Sequence, residues 1–179
     1  MSMQAVTHAV NVRLGDDENS VVILDQTLIP NETKYLTLTE ADQMWEAIYK
    51  LQVRGAPAIG IFAGYSMAVL AKRIAAPDFD GFYAEYTRLS EYLNSSRPTA
   101  VNLACMLRRM DGVVQAHRAD DRPALLAALM AEAKAIHEED MAMCLKISQY
   151  GLSVLKDGDS VITHCNAGPL ATSRYGTAQ

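Results

Sequence analysis

The chain has 179 residues, 50% of them hydrophobic, and a formal net charge of -5. This length and apolar content suffice for a buried core in one domain with a small appendage, which excludes a wholly disordered chain. A negative net charge gives no basic field for a phosphate backbone, so we expect no nucleic-acid partner. No apolar stretch is long enough to span a bilayer, so we also expect no membrane partner.

Residues 1–36 carry strand signals, with β-branched runs on either side of the turn-prone segment 15–20. This pattern predicts a small antiparallel sheet at the start of the chain. The segment Thr39-Glu-Ala-Asp42 has the form of a capping box. A helix is therefore predicted to follow it and to run to about Leu51.

Two arginines each stand just before a proline that is suited to start a helix. Arg54 lies three residues before Pro57, and Arg97 directly precedes Pro98. Free N–H groups at a helix N-terminus and a guanidinium group can hold one phosphate together, so the pattern predicts an anion site. The alternative is that both arginines pair with some of the 21 acidic residues at the surface.

The middle of the chain is predicted to be mainly helical. Apolar residues recur at helical spacing in four segments, which are residues 82–93, 100–114, 123–136 and 141–154. Gly60 and Gly64 lie four residues apart in a further apolar stretch. They share one helix face, which another helix can approach closely.

Other polar and sulfur-containing side chains of this region carry weaker signals. His137 and Asp140 lie three residues apart, but no second pair completes a metal shell, so we expect no metal and interpret them as a solvated polar face. Cys105 and Cys144 occupy apolar helical positions and are predicted to be small core residues. Together with Cys165 they lack C-x-x-C spacing, which fits free thiols in a reducing cytoplasm.

The segment 159–179 carries the strongest candidate for chemistry. Its β-branched run 160–163 predicts a buried strand, and the small residues after Asn166 predict a turn. Cys165 would then lie at a strand's C-terminal end, where ligands gather in parallel sheets, while His164 would face the other side and is interpreted as structural. A lone cysteine after a buried strand is usually inert, but its polar neighbours favour a functional role.

Three motifs of this sequence, in this order and at this spacing, resemble those of one known family. The motifs are Val53-Arg-Gly-Ala-Pro-Ala-Ile-Gly60, Ser96-Arg-Pro-Thr-Ala-Val-Asn-Leu103, and Thr163-His-Cys-Asn-Ala-Gly168 with Ala171-Thr172 and Tyr175-Gly-Thr-Ala178. The family is that of the methylthioribose-1-phosphate isomerases, with their relatives the ribose-1,5-bisphosphate isomerases and the regulatory subunits of translation initiation factor two B. The resemblance extends from the N-terminal strands to the last residue.

The resemblance implies an α+β fold in two parts. Residues 1–157 would form a small N-terminal antiparallel sheet and a helical bundle. Residues 158–179 would form the first strand and turn of a Rossmann-like α/β domain that is truncated here, so the chain would be the N-terminal half of a family member. The implied partners are a phosphorylated sugar and a second copy of the chain in a homodimer, and no cofactor is implied.

The resemblance also assigns site residues. Substrate binding, mainly at the phosphate, falls to four residues, which are Arg54, Gly55, Ala56 and Arg97. Cys165 is assigned to the catalytic centre. The sequence departs from the family at Pro169, where many members have a small residue other than proline; the departure leaves the neighbouring cysteine in place.

The family's reaction converts an aldose 1-phosphate into a ketose 1-phosphate in methionine salvage. Because the phosphate on C1 prevents simple ring opening, the enzyme must open the ring with C1 phosphorylated and then move hydrogen between C1 and C2. The family pairs the cysteine with an aspartate as proton donor, and none of these 179 residues can be assigned that role. For Cys165 two roles stay open: a thiolate that accepts a proton, or a group that stabilises a charged transition state.

We therefore expect the chain to be inactive alone. Two other functions stay open: a non-catalytic regulatory or scaffold module of the same family, and an isomerase of ribose 1,5-bisphosphate. The presence of Arg54, Arg97 and Cys165 together favours the enzyme, because a regulator need not keep the cysteine.

Overall fold

The computed structural model describes residues 10–178 and begins with a small antiparallel sheet. Its strands are β1 (Val12–Leu14), β2 (Val21–Leu24) and β3 (Tyr35–Leu38), in the spatial order β1-β2-β3. Val21 pairs with Leu14 on one side and with Leu38 on the other. The predicted sheet is confirmed, and the part of the strand-rich region before residue 10 lies outside the described residues.

Helices make up most of the remaining described chain. They are α1 (Ala41–Tyr49), α2 (Ala56–Ala71), α3 (Phe79–Ser95), α4 (Val101–Ala116) and α5 (Arg122–Val154), followed by a 3₁₀ turn at Pro169–Ala171. The two helices predicted at 123–136 and 141–154 are one continuous helix, since the polar residues 137–140 between them include no proline or glycine. Within residues 10–178, no helix combines the length and the apolar content that crossing a bilayer requires.

Helix α2 is the centre of the core. Its residues 58–71 are all buried, as expected of a helix that is apolar on every face. The two glycines permit close approach, as predicted: a methyl group on Gly60 would lie 3.0 Å from Met106 Cγ of α4, and one on Gly64 would lie 3.1 Å from Ile136 Cδ1 of α5. Helices α4 and α5 thus pack directly on the α2 backbone.

The buried strand predicted at residues 160–163 is wrong. This segment forms no strand, and the side chains of Val161 and Ile162 are 60% and 97% exposed. A strand needs a neighbour for its backbone hydrogen bonds, and within the described residues the only strands are β1 to β3, which pair with one another. His164, expected to alternate across that strand, is exposed as well. The described fold is a three-stranded antiparallel sheet with helices.

We predict that the core around α2 carries much of the stability of the chain. Leu103 is fully buried on α4, whereas Leu152 on α5 is 77% exposed. Leu103→Ala should lower the free energy of unfolding by about 2–5 kcal/mol because it leaves a cavity, and Leu152→Ala should change it by less than about 0.5 kcal/mol. Urea-induced unfolding of both variants checks this, and equal losses would contradict the described packing.

Candidate functional site

Two helices begin with N-terminal amides that no side chain caps. The residues at the N-cap positions of α2 and α4 are Gly55 and Ala100, and neither first turn contains an acidic residue. The other three helices begin with acidic caps, which are Glu40, Asp78 and Asp121. The free N–H groups at the start of α2 and α4 therefore carry the partial positive charge that favours an anion.

The arginines that precede these two helices also lack protein partners. Within residues 10–178, the guanidinium groups of Arg54 and Arg97 make no hydrogen bond or ion pair. By contrast, Arg88 and Arg109 each bind glutamate side chains. The alternative that Arg54 and Arg97 pair with surface carboxylates is thus not realised in the structure.

Pro57 and Pro98 play different parts at these helix starts. Pro57 is the second residue of α2, as predicted. The helix predicted at residues 100–114 is confirmed as α4 (Val101–Ala116), but Pro98 lies three residues before its first residue, so the prediction that this proline starts the helix is wrong. Pro98 instead lies in a turn closed by a 2.9 Å hydrogen bond from the Ala100 amide to the Arg97 carbonyl oxygen, with proline in its preferred second position.

The first turn of α4 packs against the second turn of α2. A methyl group on Gly60 would be 3.5 Å from the carbonyl oxygen of Asn102, which is the second residue of α4. The start of α4 therefore lies against the N-terminal half of α2.

Cys165 lies in an exposed loop with a left-handed backbone, at φ 62°. Such a conformation is uncommon for a residue with a side chain and persists where the surroundings fix it. Of the other cysteines, Cys144 is buried, as predicted, and burial raises the pKa of its thiol. Cys105 is exposed on α4, so its predicted place in the core is wrong.

The backbone after Cys165 folds into a closed loop, residues 167–177, which we call the terminal loop. The amide of Thr177 donates to the carbonyl oxygen of Ala167 over 2.9 Å. Inside the loop, the amide of Gly176 donates to Thr172 Oγ1 over 3.0 Å, and Gly176 itself has φ 77°. The positive φ explains the glycine at this position.

The terminal loop packs directly on Gly55. This glycine has φ 98°, and a methyl group on it would lie 2.4 Å from Ala171 Cα. Only glycine permits both this conformation and this approach. The structure therefore brings the Arg54-Gly55-Ala56 motif together with the loop that follows Cys165, although the two are far apart in sequence.

The prediction that His137 and Asp140 form a solvated polar face is wrong. Asp140 is buried, and its carboxylate accepts a 2.8 Å hydrogen bond from the Ser173 amide in the terminal loop. His137 is half-buried and shares a 2.7 Å hydrogen bond with the Tyr65 hydroxyl, and burial lowers the pKa of its imidazole. In the part of the chain that the structure describes, no group of three or more acidic, histidine or cysteine side chains is placed to hold a metal ion.

Two further polar side chains at this junction carry no local sequence signal. Asn11 and Gln26 are buried, and their side-chain amides donate to backbone carbonyls of the terminal loop. Their partners lie 144 to 161 residues away in the sequence.

Comparison with known proteins places the chain among described relatives. The sequence model of the Initiation factor 2 subunit family matches residues 52–174. The chain is 52% identical over 167 residues to a methylthioribose-1-phosphate isomerase of Symbiobacterium thermophilum, covering 93% of this chain and 46% of that protein. It is 48% identical over 161 residues to a 5-deoxyribose 1-phosphate isomerase of Moorella thermoacetica, covering 90% and 46%.

A solved structure is also similar. The 5-methylthioribose 1-phosphate isomerase from Pyrococcus horikoshii OT3 matches with a TM-score of 0.87 and 34% identity, covering 98% of this chain and 49% of that one. The chain thus spans about half the length of the relatives that it matches.

We predict that Gly55 cannot be replaced without displacing the terminal loop. Gly55→Ala should lower the free energy of unfolding by about 1–3 kcal/mol, because a side chain at φ 98° is strained and meets Ala171. The matched control is Gly112→Ala in α4, where a methyl group meets nothing within 4 Å and should stabilise the helix by up to about 1 kcal/mol. Urea-induced unfolding measures both changes, and a neutral Gly55→Ala would rule out the described contact.

Proposed function

The chain belongs to the initiation factor 2 subunit family, and we propose that it is the phosphate-binding N-terminal half of a methylthioribose-1-phosphate isomerase. The observation that carries this proposal is the pair of uncapped helix starts, each preceded by an arginine that has no partner among the described residues. An enzyme with a phosphorylated substrate can use such a pair to bind the phosphate. A purely structural module has no use for it. The names of the relatives agree with this choice.

In this proposal the sugar phosphate binds between the N-terminal ends of α2 and α4. The N–H groups around Gly55 and Ala56 and the guanidinium groups of Arg54 and Arg97 hold the phosphate oxygens. Guanidinium and free helix amides both donate to phosphate, and charge-assisted bonds of this kind are about twice as strong as neutral ones. The net charge of -5 makes this local concentration of donors necessary for an anionic ligand.

Cys165 is the proposed catalytic residue. The exposed thiol and left-handed backbone suit a group held at a reaction site. Isomerisation moves hydrogen between C1 and C2 of the opened sugar, and both roles stay open for the sulfur: proton acceptance as a thiolate, or stabilisation of the charged transition state. The proton donor paired with it in the family is an aspartate for which this chain offers no candidate.

A second candidate differs only in the sugar. The Moorella relative bears the name of a 5-deoxyribose 1-phosphate isomerase, and this substrate keeps the phosphate on C1 while replacing the methylthio group on C5 by hydrogen. The regulatory alternative rests on the family description, and it does not account for an unpaired Arg54 and Arg97. Ribose 1,5-bisphosphate is less favoured, because neither named sugar carries a phosphate on C5.

The proposal extends to organisation and location. Residues 1–157 are proposed to be one domain and residues 158–179 to lead into a Rossmann-like domain; this division rests on the family resemblance, because the described residues 158–178 form no strand. Self-association as a homodimer is supported by exposed apolar side chains on the last turns of α5 and beyond, which are Tyr150, Leu152, Val154, Val161 and Ile162. A cytoplasmic location is supported by the free and exposed thiols of Cys105 and Cys165.

We predict that Arg97→Ala and Arg54→Ala each weaken binding of methylthioribose 1-phosphate to the chain about tenfold or more, because each loses a charge-assisted hydrogen bond to phosphate. Isothermal titration calorimetry measures the dissociation constants. The matched control is Arg108→Ala, which removes another arginine without a partner in the described residues, but from within α4 rather than before it.

Two results of this titration would count against the proposal. Absence of binding to the unmodified chain would favour the regulatory alternative. Equal affinity in the Arg97→Ala and Arg108→Ala variants would show that the ligand binds away from the helix starts. Parallel titration with 5-deoxyribose 1-phosphate ranks the two sugars.

A separate prediction concerns turnover. The chain alone should convert methylthioribose 1-phosphate at no more than the rate of a Cys165→Ala variant, because the proton donor has no candidate among its residues. A coupled assay for the ketose product checks this. If the chain alone turns over substrate at an ordinary enzymatic rate and this turnover depends on Cys165, the proton donor must lie within the chain. That result would overturn its assignment to a part of the enzyme outside this chain.

A further inference from the structure

Three buried polar side chains hold the terminal loop by its backbone. They come from three separate places in the fold: Asn11 just before β1, Gln26 just after β2, and Asp140 in the middle of α5. All three are at least nine-tenths buried. We call them the loop clamp.

Asn11 makes the densest set of contacts. Its Nδ2 atom lies 3.2, 3.0 and 2.5 Å from the carbonyl oxygens of Pro169, Leu170 and Thr172. Carbonyl oxygens only accept, so the nitrogen of the amide must face the loop. Two N–H groups are thus shared among three carbonyl oxygens of one short segment. The backbone of this segment bends around the Asn11 amide.

Gln26 connects the terminal loop with the first motif. Its Nε2 atom donates to the carbonyl oxygen of Leu170 over 2.8 Å and lies 3.5 Å from the carbonyl oxygen of Arg54. One amide group therefore contacts both the backbone before α2 and the backbone after Cys165. The backbone of Gln26 is itself held in place, because its backbone N–H donates to the Gln52 carbonyl oxygen over 2.9 Å.

Asp140 holds the other side of the loop. Its Oδ2 atom accepts a 2.8 Å hydrogen bond from the amide of Ser173 and lies 3.9 Å from the Cys144 sulfur. Among the buried acidic residues of the described chain, Asp140 is the only one that binds the terminal loop. A carboxylate accepting from a backbone amide forms one of the stronger protein hydrogen bonds.

The clamp is a poor device for stability alone. The Asn11 Oδ1 and Gln26 Oε1 atoms are buried and have no partner within residues 10–178, and a buried unpaired oxygen is unfavourable. Apolar side chains of similar size would remove these two oxygens, but they would also leave the loop carbonyl oxygens that the amides bind without a donor. What the amides accomplish in the described fold is to fix the course of the loop backbone, whatever its side chains are.

We propose that Asn11, Gln26 and Asp140 are positioning residues that set Cys165 against the Arg54-Gly55 motif. This inference rests on the proposed function, because it gives the clamp a part in placing the proposed catalytic thiol. The clamp binds residues 169–173, the amide of Thr177 closes the loop on Ala167, and Cys165 stands two residues before that closure. Holding the loop therefore restricts where the Cys165 backbone can lie.

The test uses apolar replacements of similar size in the isotope-labelled 179-residue chain. The variants are Asn11→Leu, Gln26→Met and Asp140→Leu, with Asp140→Asn as a conservative variant that keeps an acceptor oxygen for the Ser173 amide. The matched control is Asn94→Leu, since Asn94 on α3 also has a buried oxygen without a partner in the described residues but makes no hydrogen bond to the terminal loop. NMR records amide exchange and the resonances of Cys165.

Breaking the clamp should accelerate exchange of the Ser173 and Gly176 amides about tenfold or more, the effect of losing one hydrogen bond. The amide of Phe62 in the core should change much less, and the Cys165 resonances should shift or split. Asp140→Asn should retain most of the protection, and Asn94→Leu should leave both the loop and Cys165 unchanged.

Two outcomes would overturn the inference. If amide exchange rises equally at Ser173 and Phe62, the clamp contributes only to general stability. If the loop loosens but the Cys165 resonances do not shift, the clamp does not position the thiol. These readings need no ligand. Addition of methylthioribose 1-phosphate to the unmodified chain tests the proposed function separately, since absence of any resonance shift would count against that function and leave the clamp result intact.

Discussion

The arrangement of the candidate site depends on one close contact, that of the Gly55 backbone with the backbone at Ala171. A side chain at Gly55 would meet Ala171 atoms at 2.4 to 2.7 Å, so the two segments touch only because a hydrogen stands in that place. The contact joins a motif at the start of the core helix α2 to a loop more than a hundred residues later. Buried amides and a carboxylate then hold the loop by its backbone. Together with the bridge that Gln26 makes between Arg54 and Leu170, the contact fixes the residues proposed to bind the substrate relative to the loop that follows Cys165.

The charges and the packing at the N-terminal ends of α2 and α4 both favour an anion there. The chain caps three of its helices with its own acidic residues and leaves α2 and α4 uncapped, which is unfavourable for an isolated helix. The same two helices pack against each other at Gly60, and the arginines that precede them have no partner among residues 10–178. An anion would satisfy both the free amides and the guanidinium groups, and this is the physical basis of the proposed phosphate site.

The sequence predicted what depends on local chemistry. The small sheet, the glycine-lined face of α2 and the family resemblance all follow from neighbouring residues and their spacing. The predicted strand at 160–163 failed because a strand requires a pairing partner, and its β-branched composition says nothing about where one lies. Asn11, Gln26 and Asp140 could not be recognised, since each acts on the backbone of a remote segment. A carboxylate in a polar run such as 137–140 looks solvated until the loop that covers it is known.

The most direct test of the site is a crystal structure of the chain with methylthioribose 1-phosphate. We expect phosphate oxygens within hydrogen-bond distance of the first amides of α2 and of the Arg97 guanidinium, with the sugar C1 and C2 atoms facing the Cys165 sulfur. A phosphate bound elsewhere, with Arg54 and Arg97 both free of it, would contradict the account.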